Sequence, residues 1–338
     1  MRRVAKSLSV AAIVGLFAMG IATAGASASA STSAGCTPAS DIEAIVDDSI
    51  SMEFTDASRL RVQAMNLLID TLGKGTTLGA VEFGSEGFET PPADTVFPPQ
   101  PVGPNGASMR TALDQKIHAD NGATDYNGAF AQSDADNPGA NARIFLTDGG
   151  HDVGTYNEGH LAHNVPTYVI GFGGIAAGED QARLQKIAND TGGRYFPLKD
   201  SAQLQSVMNT IEAALTCQTP PRQFTDLLAK GQSKTHSVAI GGATKSVQIT
   251  LTWTSPLDKF KLSGLRLVNK GHLLAVASRP GKVPGKLKVS RTISSTFAVI
   301  KVSHLHKGQL RFAVKAATVG SGAPKVSLTT QVGQSSHK

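Results

Sequence analysis

The sequence predicts an α/β fold, a doubly wound and mostly parallel sheet, followed by an all-β, sandwich-like domain. Three observations lead there. From Asp41 to about Thr216, short apolar runs alternate with segments of helical period. Beyond residue 222 the apolar period drops to two. The charge reverses at the same place: residues 31–221 hold 24 acidic and 10 basic side chains, whereas residues 222–338 hold 2 and 19.

In chain order, "IEAIV" (42–46) is a buried strand. "ASRLRVQAMNLLIDTL" (57–72) is a helix, with Leu60, Val62, Met65, Leu67, Leu68 and Leu72 at helical spacing. "TLGAVEF" (77–83) is the next strand. Residues 91–106, rich in Pro and Gly, read as a loop with a short edge strand near "DTVF". "SMRTALDQKI" (108–117) is a helix, and "ARIFLTD" (142–148) and "PTYVIGFG" (166–173) are buried strands. "EDQARLQKIAND" (179–190) is a helix with an acidic first turn, ended by "TGG". A short strand "RYFPL" and the helix "SAQLQSVMNTIEAAL" (201–215) close this half. Such alternation implies βαβ units and a parallel sheet covered on both faces.

"CQTPPR" (217–222) breaks helix, so residues 218–235 read as a linker. After it Val247, Ile249, Leu251 and Trp253 alternate with polar neighbours, as do Leu310, Phe312 and Val314. Similar runs near 262–268, 273–277, 287–293, 297–302 and 326–332 imply a sandwich of about seven or eight strands over residues 236–338. The domain expectation is therefore 36–217 for the α/β half and 236–338 for the basic β half.

The chain opens with a positive "MRR", Lys6 and the apolar run "VAAIVGLFAMGIATA", followed by small-residue cleavage sites. Residues 1–30 read as a secretory signal peptide. No second apolar stretch of spanning length follows, so the mature chain is expected to be secreted or bound at the cell surface, with no transmembrane segment. An oxidising destination favours a disulfide between the two cysteines, Cys36 and Cys217. Lipidation at Cys36, or two free thiols, are the alternatives.

Three short motifs carry chemistry. Asp47, Ser49 and Ser51 form D-x-S-x-S directly after the first strand. Thr124 sits in "NGATDYNGA", a Gly-flanked loop entering a helix. Asp148 ends the strand "IFLT". In a doubly wound sheet these loops open on one edge, where ligands gather. Two carboxylates and three hydroxyls are hard oxygen donors, which suit Mg²⁺, Mn²⁺ or Ca²⁺ and not zinc or copper. So few carboxylates leave the ion residual positive charge, and an acidic side chain of a protein ligand can complete its shell. The plain alternative is that Ser49 or Ser51 caps a helix beginning near Thr55.

These residues resemble the von Willebrand factor type A domain and its metal-ion-dependent adhesion site. "IVDDSISM" looks like the first motif, "GATD" like the threonine motif and "IFLTDGG" like the third; "TYVIGFG" and "LQKIANDTGGRYF" look like a later strand and helix. The resemblance covers about residues 40–216 and implies a Rossmann-like sheet. It implies that Asp47, Ser49 and Ser51 bind the metal, that Thr124 binds directly in the ligand-engaged form, and that Asp148 acts directly or through water. The family commonly has Gly where this chain has Ile50, which stiffens the loop or adds an apolar contact. Asp48 is an additional negative charge beside the site, raising cation affinity or staying solvated. Some members carry a terminal bridge like Cys36–Cys217.

His151, His160 and His163 follow Asp148; a second metal site there is the alternative, but no spacing matches a known ligand set, so they read as solvated rim histidines, with Tyr156 as a rim contact. The basic half reads as a holder of an anionic cell-surface polymer, or as a partner for the acidic half, in which case raised salt should separate the two. Nucleic acid is disfavoured, because all four tyrosines lie in the acidic half and no aromatic stacking row is present. Functionally, the residues favour a secreted binding or adhesion protein. The alternatives are a metal-dependent hydrolase, for which no nucleophile–base pair, Gly-x-Ser-x-Gly or His-Glu-x-x-His is present, and a structural surface protein with an unused site.

Overall fold

The computed structural model describes residues 37–84, 93–118, 122–157, 159, 164–171, 178–198, 203–276 and 286–335. The expected signal peptide, Cys36, His160 and His163 lie outside the described residues. No helix among the described residues is long and apolar enough to cross a membrane.

The first half is built on β1 (Asp41–Asp47), α1 (Met52–Thr55), α2 (Leu60–Thr71), β2 (Thr77–Phe83), β3 (Ala93–Pro101), α3 (Val102–Lys116), α4 (Tyr126–Asp136), β4 (Ala142–Thr147), β5 (Thr167–Gly171), α5 (Glu179–Thr191), β6 (Arg194–Pro197) and α6 (Leu204–Leu215). The sheet order is β3-β2-β1-β4-β5-β6. All pairs are parallel except β2 with β3. Along β1, Ile42, Ala44 and Val46 pack with α2, α3 and α6, while Ile45 faces Phe130 of α4 and Leu184 of α5. Burial on both faces is why the strand reads as an unbroken apolar run. The chain runs from β1 to β2 on one side and from β4 to β5 on the other. The switch point therefore lies between the carboxyl ends of β1 and β4.

The edge strand expected near "DTVF" in the Pro-rich stretch 91–106 is present, but it is longer than expected and leaves little loop. From residue 93 it forms the nine-residue strand β3 and the first turn of α3. Pro98 and Pro99 are tolerated because β3 is an edge strand, and Pro104 because it sits in a helix's first turn, where N–H groups have no helical acceptor.

The second half comprises β7 (Thr219–Leu228), β8 (Ser233–Ile240), β9 (Ser246–Thr252), β10 (Lys259–Asn269), β11 (His272–Val276), β12 (Lys288–Ile293), β13 (Phe297–Ser303), β14 (Gly308–Thr318) and β15 (Val326–Ser335). They form two antiparallel sheets, β11-β10-β14-β8 and β12-β13-β9-β15-β7, around a core that includes Ile249, Leu251, Leu310, Phe312 and Leu328. The expected linker 218–235 is thereby corrected. It holds β7, paired in register with β15, and the start of β8. Its Pro–Pro dipeptide mimics a linker, but β7 is an edge strand, which can give up ladder donors.

With no linker, the halves meet directly. Helix α6 packs on β7, β9 and β15, and α2 meets β13. Leu67 is buried with Phe297 and Val299. Around them lies a buried amide network. Asn209 donates to Gln331 Oε1 at 3.0 Å, Gln205 to Thr296 Oγ1 at 2.7 Å, and Gln248 to Glu212 Oε2 at 3.2 Å. Burial raises the Glu212 carboxyl to about 7 and lowers the Lys301 ammonium, which donates to Thr71 O at 3.0 Å. The basic half thus does dock on the acidic half. The contact is mostly apolar and amide-rich, and the opposite charges within it, Lys301 with Glu212 and Asp70, are partly buried in the seam and not an attraction of exposed surfaces.

Candidate metal site

The loop after β1 is held from three sides. Asp48 N donates to Phe83 O at 2.8 Å, and Ile50 N to Gly122 O at 3.1 Å, which ties the loop to the one bearing Thr124. Gly84, with φ +88°, lies under the loop. A Cβ there would fall 2.8 Å from Ser49 Cα, so only glycine lets the chain pass.

This folding brings all five predicted side chains to one edge. Ser49 donates to Asp47 Oδ1 through both its backbone N, at 2.9 Å, and its hydroxyl, at 2.5 Å. Ser49 Oγ and Ser51 Oγ are 3.1 Å apart, and Ser51 Oγ donates to Asp148 Oδ1 at 2.7 Å. Thr124 Oγ1 and Ser51 Oγ flank Gly149, at 3.5 and 3.9 Å from where a Cβ would stand. Ser51 occupies the N-cap position of α1 but makes no side-chain cap bond, so its hydroxyl serves the cluster and not the helix. Asp47, Ser49, Thr124 and Asp148 are buried, and Ser51 is half-buried.

Several supporting residues were not legible in the sequence. Thr147 donates to Asp47 Oδ2 at 2.6 Å, and Thr55 donates to Asp148 Oδ2. Each carboxylate is thus held by hydroxyls on both oxygens. Asp180, in the acidic first turn of α5, lies against Gly150, where a Cβ would come within 2.4 Å of its Oδ atoms. Tyr126 donates to Gly149 O at 2.6 Å and pins the third motif. Phe54 of α1, next to Thr55 in the chain, is 80% exposed.

Two expectations change. Asp48 neither faces the site nor stays solvated. It is fully buried, accepting from Arg61 Nη2 at 2.7 Å and His118 N at 2.9 Å, and Arg61 also bridges Asp56 at 3.1 Å. A buried guanidinium with two carboxylates has its charge met, so Asp48 is structural. His151 is not a solvated rim group either. Its side chain is 2% exposed, and Nδ1 accepts from Tyr126 N at 3.1 Å. Burial lowers its imidazolium, consistent with that acceptor role. Tyr156 packs edge-on against Tyr126 and His151, with Arg183 over its ring.

The charges suit a cation. Burial, and after it the nearby charge of Asp148, raise the Asp47 carboxyl to about 7; burial also raises Asp148. Two buried carboxylates that oppose each other's ionisation are stabilised by a divalent ion between them. The surrounding donors are hydroxyl oxygens, and among the described residues no cluster of three His, Cys, Asp or Glu side chains offers a softer or more acidic site. The residues fit a hard divalent ion.

The von Willebrand factor type A domain model matches residues 41–210. Among curated proteins no sequence match is found. Similar solved structures include a von Willebrand factor type A protein from Catenulispora acidiphila, at 18% identity and a TM-score of 0.42, over 88% of this chain and 64% of that one. A second is the pilus adhesin SpaC from Lactobacillus rhamnosus GG, at 14% identity and 0.41, over 89% and 45%. A third is proximal thread matrix protein 1 from the mussel byssus, with a zinc-occupied MIDAS motif, at 17% identity and 0.43, over 58% and 51%. The chain spans 64% of the first of these structures and about half of the other two. With half of its length matched by that model, and the matched half folded as the doubly wound sheet just described, the chain belongs to the von Willebrand factor type A domain family.

Proposed function

We propose that this is an exported adhesion or binding protein that captures a protein ligand by an acidic side chain through a divalent ion, Mg²⁺ or else Mn²⁺ or Ca²⁺. Asp47, Ser49, Ser51, Thr124 and Asp148 hold the ion. The observation that carries the reading is their convergence: side chains up to 101 residues apart share one edge, joined by hydroxyl–carboxylate bonds. The ion supplies an electrophilic point that a carboxylate can enter. The chain's own residues position it: Thr147 and Thr55 orient the two carboxylates, and Gly84 and Ile50 hold the loop. Phe54 offers an apolar contact beside the acid, so the favoured ligand carries a nonpolar group next to its carboxylate.

Titration with Mg²⁺ tests the site. At a hundredfold excess over Kd, bound ion protects the folded state by about 2.7 kcal/mol. Wild-type protein should show this rise in melting temperature and Asp47→Ala should not. Equal protection of both would leave the site unused.

The same reading includes export through residues 1–30 and a Cys36–Cys217 bridge closing the domain. Ala39 N donates to Leu215 O at 2.8 Å, which brings the first described residues beside the end of α6. A non-reducing digest should yield the linked peptides; two separate thiol peptides would refute the bridge. The positive sandwich is the part suited to hold the protein on an anionic surface polymer.

A further inference from the structure

The sandwich has two carboxylates in residues 222–338, Asp226 and Asp258, and both are buried. Asp226 faces His236 Nε2 at 2.7 Å, and Asp258 accepts from Gly320 N and Ser321 N at 2.9 and 3.2 Å. The exposed formal charge of the sandwich's described residues is therefore positive throughout. Part of it is arranged in an unusual way on the outward face of the β11-β10-β14-β8 sheet. On β14, Leu310, Phe312 and Val314 are buried in the core, and Arg311 and Lys315, at alternate positions, are exposed. On β10, the exposed Lys261 stands directly opposite Lys315, and the exposed Arg266 directly opposite Arg311.

Like charges placed directly across an antiparallel pair destabilise it. This face carries two such pairs side by side, and the sandwich has no further carboxylate to offset them. On the next strand, exposed Ser237 and Ser233 lie opposite Arg311 and Lys315; Ser237 Oγ and Arg311 Nη2 both donate to Gln309 Oε1, at 3.4 and 3.3 Å, which a phosphate oxygen could replace. The two cationic pairs are about 14 Å apart along β14, at roughly 3.4 Å per residue.

We propose that this face binds a linear polyanion with repeated phosphate groups. Phosphates seated over the pairs would relieve the repulsion that the bare sheet sustains. Two arginine forks match phosphate oxygens in bidentate fashion. The separation of the pairs calls for a chain of anions, since one small anion cannot reach both. A bilayer is a poorer fit, because Gln309, Ala313 and Ser263 between the cations carry no large apolar group, and among the described residues of this sheet the exposed large apolar side chain is Leu273, on the edge strand β11. Single-stranded nucleic acid is also a poor fit, because the face has no aromatic ring for base stacking. The inference deepens the surface-holding part of the proposed function and is independent of the metal site.

The test uses the full chain, chelator throughout and inorganic polyphosphate as the probe. Wild type should bind with a salt-dependent affinity. Lys261→Gln/Lys315→Gln and Arg266→Gln/Arg311→Gln should each bind more weakly and lower the slope of log K against log salt by about 2. Without polymer, both variants should melt at or above the wild-type temperature, which separates lost binding from lost folding. Lys288→Gln/Lys325→Gln removes the same charge elsewhere and should bind within about twofold of wild type, since no phosphate contact is lost. If that control loses as much as the face variants, or the face variants bind like wild type, this face is overturned while a polyanion-binding sandwich stands. Failure of wild type to bind overturns both.

Discussion

Buried charge separates the residues that hold this fold from those that serve its edge. Asp48 and Asp47 are neighbours in sequence and both are fully buried, yet only Asp48 meets a guanidinium. Asp47 has hydroxyls and a second carboxylate instead, an arrangement that leaves work for a cation. Glu43 shows a third outcome. It is fully buried on β1, far from the metal edge, where burial raises its carboxyl to about 8. The folded chain therefore keeps a proton that the unfolded chain releases above the ordinary carboxylate value of 4.5. Stability should fall as pH rises between these two values, by at most about 1.4 kcal/mol per pH unit from this group. Urea midpoints measured across that window should fall less steeply for Glu43→Gln than for wild type. An unchanged slope would show that Glu43 ionises in the fold as it does in water. None of this was legible in the sequence, where "VDD" is simply two acids. Which acid meets Arg61 depends on how α2 lies against β1.

At the scale of elements, the candidate metal site depends on strand ends more than on helices. Strand β2 reaches the switch point and turns away at Gly84, under Ser49. Gly84→Ala combines a left-handed backbone at φ +88° with a collision against the loop's main chain. It should cost more than about 1 kcal/mol of stability. It should also weaken Mg²⁺ protection by displacing Ser49, although Gly84 has no ligand atom. Retained Mg²⁺ affinity in a destabilised variant would show that the loop is held by its other ties. Long periodic elements such as α2 and β4 were readable from sequence, because burial imposes its period directly. The prolines hid the length of β3, of which only a short edge strand near "DTVF" was readable, and hid β7 altogether. Both are edge strands, and a proline's missing donor costs little where no neighbour waits for it. How far an edge strand runs is a property of the sheet and leaves little local mark.

The whole molecule joins an acidic half to a basic sandwich through a buried seam. Leu67, Phe297 and Val299 form its apolar part, and Asn209, Gln248 and Gln331 lie in its polar part. Exposed opposite charges would loosen in salt, but buried amides and apolar contacts are screened little. Thermal unfolding should therefore remain a single transition as salt is raised, because neither half keeps its partner surface covered alone. Two transitions that move apart with salt would show the halves to be independent. The seam also sets direction. The five-stranded sheet is covered by α2 and α6, so the face with the paired cations turns away from the first half.

By itself the sequence determined the α/β period, the switch to period two, the charge reversal and the five oxygen donors, since each is written as residue type and spacing. Only the tertiary structure decided which acid is neutralised, which prolines lie in edge strands, and how the halves dock. It also placed the lysines and arginines of β10 and β14 opposite one another. These outcomes depend on contacts between residues distant in the chain, where burial and register, not local preference, fix the energy.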